Sequence, residues 1–594
     1  MRNNNLRLIF VHWQIKKIFK QKIYMKKIIC LISLALSFSL LQAQTKVSYI
    51  STVNATNRWV DSVFKKLTRN EKIGQLFMVR AHTNLGQAYS DSVAKVIAKQ
   101  HLGGVVFFQG GPKRQALLSN QYQSLSKKVP LMIAQDAEWG LGMRLDSTLS
   151  YPYQMTLGAI QNNNLIYKMG QMVAKDLKRL GVHINFAPVM DVNNNPRNPV
   201  INYRSFGENK YNVANKSIAY MKGMQDAGLF TTAKHFPGHG DTDVDSHYDL
   251  PQLPFSKQRL DSLEMYPFKQ AIAAGLNGVM VAHMSIPALD NTKNLPSTLS
   301  KPIITNLLKN DLNFKGLVFS DAMDMKGVVK FFPNGEADVK AIIAGLDVIE
   351  LSQDSEKAIH LIRKSIRKHQ LTWDDIDQKV KRILAAKYWM NLHQYQAVDT
   401  TKLVEALNRA ESKVLVQELT DAAVTVLKGS ENFPIATDFV RKMAILSIGP
   451  KDPTTFSETM KRFFPDATLF IIPKDISLKE LETVKTEIAK FGQVVMAIHD
   501  TRLRPAGTLD YQNNLKLFIA DMTKYNPITV VFANPYSLAG LPGIEQSKAL
   551  VLGYQNSKEM QSSAARVILG KLNAKGKLPV TINAYYKFGA GEVK

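Results

Sequence analysis

Cysteine is nearly absent from this chain of 594 residues, since the only one is Cys30 near the N-terminus. No disulfide can therefore stabilise the segments that follow. The sequence also lacks a GxxxxGK[ST] motif, the loop that places a lysine on the phosphates of a nucleotide. Internal repeats and low-complexity tracts are missing as well, which excludes a repeat protein and a largely disordered one.

Acidic residues are missing from the first 44 positions, which contain eight Lys and Arg. From Met25 the sequence reads MKKIICLISLALSFSLLQAQ, with a basic start, a short apolar run and a small residue, Ala43, before its end. This pattern predicts a secretory signal peptide within residues 1–44, with translation starting at Met25. Because the apolar run is too short for a comfortable membrane span, we expect an exported protein, periplasmic or secreted, with no stable membrane span after leader removal.

A formal net charge of +27 leaves the chain strongly basic even without this leader. Such a charge could serve binding to nucleic acid or to an anionic polymer such as a cell-wall glycan. The lysines are scattered rather than gathered beside aromatic residues, and no nucleic-acid-binding motif occurs. We therefore expect no nucleic-acid partner and interpret most of the charge as a solvated basic surface.

Short apolar runs alternate with amphipathic segments over the first two thirds of the chain. Most runs are rich in β-branched or aromatic residues and follow Gly or Pro, as strands buried on both faces do. Eight of them predict a (β/α)₈ TIM-type barrel over residues 45–395. An open doubly wound sheet would alternate similarly, but eight repeats favour closure. The runs are IGQLFMV (73–79), GGVVFF (103–108), PLMIAQD (130–136), HINFAPVMD (183–191), TAKHF (232–236), GVMVAHM (278–284), GLVFSDAM (316–323) and LDVIEL (346–351).

A second set of apolar runs follows a polar connection, residues 396–410. Helical stretches separate these runs, which predicts a smaller α/β three-layer sandwich over residues 411–594. We also predict a last short strand at GKLPVTI (576–582). The other runs are KMAILSIGP (442–450), ATLFIIP (467–473), QVVMAIHD (493–500), ITVVFANP (528–535) and KALVLGY (548–554).

The stretch KHFPGHGDTDVDSH (234–247) carries an unusually dense group of titratable side chains and follows the fifth run. Loops on a rigid scaffold are where catalytic side chains concentrate. His235, His239 and His247 with nearby aspartates could bind zinc. PGHGDT could cradle a phosphate, although the lysine spacing is wrong. The histidines could also be hydrogen-bonded supports of the loop, or Asp245 and His247 could transfer protons.

An aspartate two residues before a histidine can hold the imidazole in one tautomer and stabilise its cation. Such a histidine can donate and then accept a proton within one reaction cycle. A retaining glycosidase needs this two-way group together with a carboxylate nucleophile. Asp321 is expected to end the seventh strand, within GLVFSDAM, and could supply the carboxylate, whereas the competing Asp324 lies beyond the strand. The polar residues that end other runs are Asp136, Asp191, Lys234, His235, His283 and Glu350.

Several long motifs resemble, in the same order, those of glycoside hydrolase family 3, in its β-N-acetylglucosaminidase branch. The resemblance covers the whole predicted barrel, and GKLPVTI resembles the end of that family's second domain. The motifs are GVHINFAPVMDVNNNPRNPVI (181–201) with RSFG (204–207), KHFPGHGDTDVDSH followed by LP (234–251), MVAHMSIPALD (280–290) with PSTLS (296–300), and FSDAMDMKGV (319–328).

The resemblance implies a role for each matching position. Asp321 matches the nucleophile that forms a glycosyl-enzyme intermediate, His247 the general acid/base on a mobile loop, and Asp245 its partner. The positions that match sugar-binding residues are Asp136, Arg144, Arg204, Lys234 and His235. His239 keeps no chemical role and is interpreted as a support of the loop.

One loop departs from the family pattern. AEWGLGMRL (137–145) stands where many members of this branch have a Gly-Gly-Arg-containing sequence. Asp136 and Arg144 stay in register, so the change concerns the shape of the aglycone side. Trp139 within this loop could be a platform for a sugar or could simply pack in the loop.

The sequence thus predicts a retaining exo-β-N-acetylglucosaminidase that removes terminal N-acetylglucosamine from peptidoglycan fragments. The resemblance implies cleavage beside an N-acetylmuramic or anhydromuramic unit, with no metal and no organic cofactor. Two alternatives are a β-N-acetylglucosaminide phosphorylase that uses phosphate as acceptor and a catalytically silent glycan-binding protein. The second domain could contribute to the active site or only cover the barrel.

Overall fold

Eight parallel strands form the first sheet of the computed structural model, which describes residues 48–53, 55–436 and 442–593. They are β1 Phe77–Ala81, β2 Gly104–Phe107, β3 Met132–Gln135, β4 Ile184–Asn185, β5 Phe230–Phe236, β6 Gly278–Val281, β7 Leu317–Ser320 and β8 Ile349–Glu350. Their order is β7-β6-β5-β4-β3-β2-β1-β8. The sheet closes because Phe319 bridges Val348 in parallel. The predicted TIM-type barrel is confirmed.

Most of the barrel strands are buried and pair in parallel with a regular register. β1 pairs with β2 and β2 with β3 in parallel, so that Val79 lies beside Val105 and Val105 beside Ile133. Aromatic rings fill the interior, where Phe319 contacts Phe186 and Phe230 at centroid distances of 5.7 and 6.2 Å. This packing fixes the strands whose carboxyl ends carry the polar residues.

Helices surround the barrel and follow each strand, and side-chain caps mark where several begin. Thr68 and Glu71 form a capping box, as do Thr372 and Asp375, which satisfies N–H groups that a helix leaves unpaired. The helices up to residue 423 are Tyr49–Thr52, Arg58–Lys66, Arg69–Gly74, Gln87–Gln100, Pro112–Leu125, Gln154–Gly158, Asn163–Arg179, Lys210–Asp226, Lys257–Ser262, Tyr266–Ala273, the π-helix Pro302–Asp311, Lys326–Val329, Glu336–Ala344, Ser355–Arg367, Trp373–Trp389, Leu403–Leu407 and Ala410–Ala423.

A second, six-stranded sheet follows in the order β11-β10-β12-β13-β14-β9, with β9 antiparallel to β14 and the other pairs parallel. It confirms the predicted α/β domain. The strands are β9 Thr425–Lys428, β10 Met443–Gly449, β11 Thr468–Pro473, β12 Gln493–His499, β13 Ile528–Phe532 and β14 Ala549–Leu552, and the helices are Thr455–Phe463, Leu478–Ile488, Asn513–Met522 and Lys558–Ile568.

Two details of the second sheet differ from the sequence-based expectation. β9 was missed, because its four residues directly continue a helix. The strand predicted at 576–582 is wrong. Its backbone donates to three separate segments, from Gly576 to Val424, from Lys577 to Ala159 and from Leu578 to Ala590, so no single neighbouring strand pairs with it.

Polar contacts hold the second sheet's module on the barrel. The side chain of Asn534 donates to that of Asn202 at 2.5 Å. Thr581 Oγ1 donates to Glu208 Oε1 at 2.6 Å, and the Thr581 backbone N–H donates to the same carboxylate at 2.7 Å. These contacts lie on the carboxyl-end side of the barrel strands, next to the loop that contains Arg204.

Among the described residues, no helix combines the length and the apolar character needed to cross a bilayer. The predicted leader, residues 1–44, lies outside the described part of the chain.

Candidate active site

A cavity of about 1190 Å³ opens at the carboxyl ends of the barrel strands. Strand ends and the loops that follow them form most of its wall. The structure brings all of the predicted site residues to this one cavity: Asp136, Arg144, Arg204, Lys234, His235, Asp245, His247 and Asp321. It is large enough for more than one sugar unit, since small-molecule sites typically occupy about 300–1,000 Å³.

A buried ion cluster forms the floor of this cavity around Asp136, which directly follows β3. Lys234 Nζ lies 2.7 Å from Asp136 Oδ1, and Arg144 Nη2 lies 2.5 Å from Asp136 Oδ2. The Arg144 guanidinium also stacks over the ring of Phe108, 4.5 Å from its centroid. Both carboxylate oxygens of Asp136 are thus held by cations, and the cluster is rigid before any ligand enters.

Glu138 is the centre of the same cluster, and the sequence analysis missed it. It is fully buried at 0% exposure. Arg204 binds it in a two-pronged fashion, from Nη2 at 2.6 Å and from Nε at 3.0 Å, and Lys234 Nζ lies 2.8 Å away. A signal was present, because Glu138 lies only two residues after Asp136 in the loop that follows the carboxyl end of β3, where barrel enzymes place their site residues.

The ion cluster sets the charge of its own members. Burial would raise the pKa of Asp136, but Lys234 and Arg144 outweigh it and hold that pKa well below its usual value. Burial likewise opposes ionisation of Glu138, yet Arg204 and Lys234 lower its pKa. Burial favours neutral Lys234, whereas Asp136 and Glu138 raise its pKa. Asp136, Glu138 and Lys234 therefore stay charged at neutral pH, despite the cost of burying them.

Glu138→Gln is expected to lower the free energy of unfolding by about 3 kcal/mol, because it leaves two buried cations undercompensated. Denaturant unfolding measures this change. Glu336→Gln is the matched control, since Glu336 is exposed and its nearest cation, Lys340, lies 3.9 Å away, and little change is expected there. A Glu138→Gln protein as stable as the unmodified one would show that this ion cluster does not support the fold.

Asp191 positions the strand end that carries His235. Its Oδ2 lies 2.7 Å from His235 Nδ1, and its Oδ1 accepts the backbone N–H of His239 at 2.7 Å. With Nδ1 engaged, His235 Nε2 points to the Arg204 guanidinium at 3.4 Å. Asp191 therefore acts as a support, and the predicted site residue His235 is the one that meets the cavity.

Asp321 comes directly after β7 and is partly exposed to the cavity. Its Oδ1 accepts the backbone N–H of Ala322 at 2.8 Å, which leaves Oδ2 free to face a ligand. Burial would raise the pKa of Asp321, but the nearby His283, His235 and Lys234 and the Ala322 N–H lower it. The carboxylate is ionised at neutral pH and has the character of a nucleophile or a charge stabiliser.

His283 lies two residues after the end of β6, is fully buried and supports Asp321. Its Nδ1 lies 2.7 Å from Thr298 Oγ1, and its Nε2 lies 3.0 Å from the Ala322 carbonyl oxygen. Burial lowers the pKa of His283, with the negative charge of Asp321 acting against this shift. The PSTLS motif thereby orients the histidine that packs behind the catalytic candidate.

Asp245 and His247 form a hydrogen-bonded pair on the loop after β5. His247 Nδ1 lies 2.7 Å from Asp245 Oδ1, which also accepts the His247 backbone N–H at 2.9 Å. The imidazole side chain is 62% exposed at the cavity rim. Because Nδ1 is tied to the carboxylate, Nε2 is the atom left to exchange a proton with a ligand.

The base of this loop is fixed by close packing and by His239. A Cβ on Gly240 would lie 1.9 Å from the Val192 carbonyl oxygen, so only glycine allows this approach. His239 Nδ1 lies 2.8 Å from Thr242 Oγ1, and its Nε2 lies 3.3 Å from Ser246 Oγ. His239 is therefore a support of the loop, in agreement with the interpretation from the sequence.

Glu350 ends β8 and lines the cavity, and the sequence predicts no role for it. It is 4% exposed, and its Oε1 has no hydrogen-bond partner among the described residues. Burial, followed by the negative charges of Asp136 and Asp321, raises its pKa well above the ordinary value of 4.5. A neutral carboxyl group beside two ionised ones is the arrangement that these charges favour.

Glu350→Gln is expected to make the protein more stable at pH 8, with an advantage that disappears as the pH falls to 4.5. Because the folded state retains a proton on Glu350 that the unfolded chain releases above pH 4.5, stability decreases with rising pH, and glutamine removes that decrease. Thermal unfolding across this range measures the effect, with the exposed Glu458→Gln as control. An advantage of equal size at both pH values would contradict the assigned protonation.

The zinc alternative requires three or more ligating side chains around one point. Over residues 48–53, 55–436 and 442–593, no group of three His, Cys, Asp or Glu side chains has that geometry. His235 faces Asp191 and Arg204, His239 is turned into its loop, and His247 stands at the rim. The three histidines of the motif are thus engaged in different contacts.

The known proteins that this chain resembles are glycoside hydrolases. The glycosyl hydrolase family 3 N-terminal domain matches residues 68–386. The chain is 28% identical over 90% of its length to β-hexosaminidase A of Pseudoalteromonas piscicida, all of which it covers. It is 31% identical over 44% of its length to a β-hexosaminidase of Nitrosomonas eutropha, of which it covers 76%.

One solved structure is similar to this chain over most of its length. A family 3 β-N-acetylglucosaminidase from Paenibacillus sp. str. FPU-7 is 30% identical with a TM-score of 0.73, over 87% of this chain and 99% of that one. Fold, motif order and matched length therefore agree. The chain is a glycoside hydrolase that belongs to family 3, in the branch whose members are named β-hexosaminidases and β-N-acetylglucosaminidases.

Proposed function

We propose that this protein is a retaining exo-β-N-acetylglucosaminidase in which Asp321 is the nucleophile and the Asp245–His247 pair supplies the general acid/base. The observation that carries the proposal is the placement of an ionised Asp321 and a carboxylate-bound His247 on the wall of one cavity. The β-hexosaminidase names of the relatives support the sugar specificity.

The first step is displacement at the anomeric carbon. The free oxygen of Asp321, Oδ2, attacks this carbon while its bond to the leaving-group oxygen breaks. The proton on His247 Nε2 passes to that oxygen, so the aglycone leaves as a neutral alcohol. The product is a glycosyl ester on Asp321, and the neutral His247 is hydrogen-bonded to Asp245 through Nδ1.

The second step returns the enzyme to its starting state. His247 Nε2 removes a proton from a water molecule, and the water oxygen attacks the anomeric carbon of the ester. The Asp321 carboxylate leaves, and two inversions give the sugar its original β configuration. Asp245 stabilises the imidazolium before the first step and after the second. In this scheme the 2-acetamido group of the sugar does not act as the nucleophile.

The buried ion cluster supplies the sugar's hydrogen-bond partners. Lys234, Arg204 and Arg144 are held in fixed positions by ion pairs with Asp136 and Glu138. Their remaining N–H donors and the carboxylate lone pairs can therefore bind sugar hydroxyls without rearrangement. Preorganised groups of this kind lower the cost of ordering a ligand. The closed floor favours binding of a terminal sugar, which is the exo mode of attack.

The proposal is tested by incubating the protein with an aryl β-N-acetylglucosaminide, with and without phosphate. We expect the protein to release N-acetylglucosamine at the same rate in the presence and absence of phosphate. Formation of a sugar 1-phosphate would contradict hydrolysis and show that the protein is a phosphorylase. No turnover of any N-acetylglucosaminide would refute the enzyme assignment and favour a silent glycan-binding protein.

The natural substrate in this proposal is a peptidoglycan fragment, and the protein meets it outside the cytoplasm. The signal-peptide pattern at residues 1–44 supports this location. The net charge stays positive when the eight basic residues of the leader are removed, which is compatible with an anionic cell-wall polymer. Cell fractionation tests the location, and the product profile from defined fragments tests the substrate. Retention in the cytoplasm, or preference for chitin fragments over peptidoglycan ones, would contradict this part.

A further inference from the structure

The second module contributes part of the cavity wall through the segment Leu503–Thr508. The barrel residue Tyr153 donates its hydroxyl to the Leu503 carbonyl oxygen at 3.0 Å. At the other end, a Cβ on Gly507 would come 2.9 Å from the Pro196 carbonyl oxygen. The segment is therefore seated directly on the barrel loops that surround the catalytic groups.

An ion pair within the second module holds the base of this segment. Arg502 binds Asp500 through Nε at 2.8 Å and through Nη2 at 2.7 Å, and Nη2 also donates to the Thr508 carbonyl oxygen at 2.5 Å. The two ends of the segment are thus tied together. Arg504, between them, projects from a fixed support rather than from a loose loop.

Three aromatic rings of the barrel line the cavity beside this segment. The Tyr153 ring contacts those of Trp139 and Tyr203 at centroid distances of 4.9 Å each, and Trp139 lies 6.1 Å from Tyr203. All three are partly exposed. Trp139 and Tyr203 directly adjoin Glu138 and Arg204 in the chain, so this aromatic cluster lies immediately outside the ion cluster.

Arg504 has no counter-ion among the residues that the structure describes, in contrast to the cations on the cavity floor. Arg80 is paired with Asp324 at 2.9 Å, and Lys234 with Asp136 at 2.7 Å. Arg504 is exposed and makes no ion pair or hydrogen bond within the described ranges. Arg197, which follows Pro196 on the loop under Gly507, is likewise exposed and lines the cavity, and its side chain makes no ion pair with any described residue.

Arg504 is close enough to the aromatic cluster for its positive charge to affect the pKa of two tyrosines. Burial and the neighbouring Tyr203 raise the pKa of Tyr153 to about 12, and Arg504 acts against this rise. Burial also raises the pKa of Tyr203, with Arg204 and Arg504 acting against it. An uncompensated guanidinium and a group of aromatic faces are therefore neighbours in one open part of the cavity.

We infer that Trp139, Tyr153, Tyr203 and Arg504 form an aglycone subsite that spans both modules and recognises an oxyanion, a carboxylate or a phosphate, on the sugar next to the scissile bond. This inference rests on the proposed function, because the subsite is named by its position relative to the cleaved bond. The rings cover the faces of the sugar, and the planar guanidinium binds two oxygens of the anion in parallel.

The inference assigns a role to the loop AEWGLGMRL, the point where the chain departs from its family. Trp139 stands in this loop and supplies one ring of the subsite. It also gives the second module a function in specificity. Arg504 is a specificity-determining residue in this scheme and takes no part in bond cleavage.

The test compares two β-linked N-acetylglucosaminyl disaccharides that differ in one group. One carries a carboxylate on its reducing sugar and the other the primary amide in its place, so charge changes while the leaving oxygen stays the same. We expect kcat/KM to be about tenfold higher for the carboxylate, a typical gain for a charge-assisted contact. Arg504→Ala should bring this ratio close to one, Arg504→Glu should reverse it, and Arg504→Lys should restore part of it.

The matched control is Arg462→Ala, since Arg462 is an exposed arginine of the same module that does not line the cavity. It should leave the ratio unchanged. A third disaccharide with a phosphate on the reducing sugar shows which oxyanion is preferred. A ratio near one in the unmodified protein, or one that Arg504→Ala does not alter, would overturn the inference.

Calorimetric binding of the carboxylated reducing sugar alone separates this inference from the proposed function. Binding that exceeds that of the amide and is lost in Arg504→Ala would support the oxyanion contact, even in a protein that hydrolyses no N-acetylglucosaminide. Turnover of N-acetylglucosaminides with equal binding of carboxylate and amide would support the enzyme assignment and refute the subsite.

Discussion

Asp321→Asn is expected to reduce kcat/KM for an aryl β-N-acetylglucosaminide by about 10⁴-fold or more, the scale on which loss of a covalent nucleophile acts. The amide keeps the hydrogen bond from the Ala322 N–H, at 2.8 Å in the unmodified protein, but it cannot form the glycosyl ester. Initial rates under substrate-limited conditions measure this change, and Asp321→Ala guards against slow deamidation of the asparagine.

Asp324→Asn is the matched control for this substitution, because Asp324 lies three residues on, lines the same cavity and was the competing candidate. Its carboxylate is engaged with Arg80 at 2.9 Å, and removal of such a half-exposed pair should cost less than about tenfold. A large loss of kcat/KM in Asp324→Asn, together with an active Asp321→Asn protein, would show that Asp324 and not Asp321 is the nucleophile.

His247→Ala is expected to affect substrates according to their leaving groups. For a disaccharide, whose departing oxygen needs a proton, kcat/KM should fall by about 10²–10⁴-fold, the usual contribution of general acid catalysis. For an activated aryl glycoside, whose phenolate leaves unaided, the loss in kcat/KM should stay within about tenfold. A series of aryl glycosides with phenols of rising pKa measures the dependence as a slope.

Asp245→Asn provides the control within the pair. It leaves the imidazole in place but removes the carboxylate 2.7 Å from Nδ1, so we expect a loss of the same kind and of smaller size. His247→Ala losses of equal size for good and poor leaving groups would rule out His247 as the acid.

The barrel was predictable because its strands are buried on both faces and appear as separate apolar runs. β4 and β8 show the limit of this signal, since each contains only two paired residues within longer apolar runs. The strand predicted at 576–582 had the same appearance. Its backbone partners lie in three distant segments, and such long-range pairing leaves no local mark.

The candidate site could be predicted as a set of residues, but not as a network. The residues that the family resemblance supplied do meet in one cavity. Glu138 was missed because a glutamate inside an atypical loop looks like a solvated charge, and only burial between Arg204 and Lys234 reveals its part. Glu350 is recognisable as a strand end, but its protonation depends on burial and on the nearness of Asp136 and Asp321, neither of which the local sequence encodes.

The part played by the second module had no sequence signal at all. Arg504 stands in an exposed loop of ordinary composition, more than 250 residues from His247 in the chain. Its relevance arises because Gly507 packs against the loop at Pro196 and Tyr153 binds Leu503. Contacts between modules therefore decide which surface residues reach the cavity.

The most direct test of the double-displacement mechanism is mass spectrometry of the His247→Ala protein after a rapid quench with an activated aryl N-acetylglucosaminide. Without His247 the ester should form but hydrolyse slowly, so it should accumulate. The mechanism predicts that the peptide containing Asp321 gains the mass of one N-acetylglucosaminyl unit. Turnover without an adduct, or an adduct on another residue, would contradict Asp321 as the nucleophile.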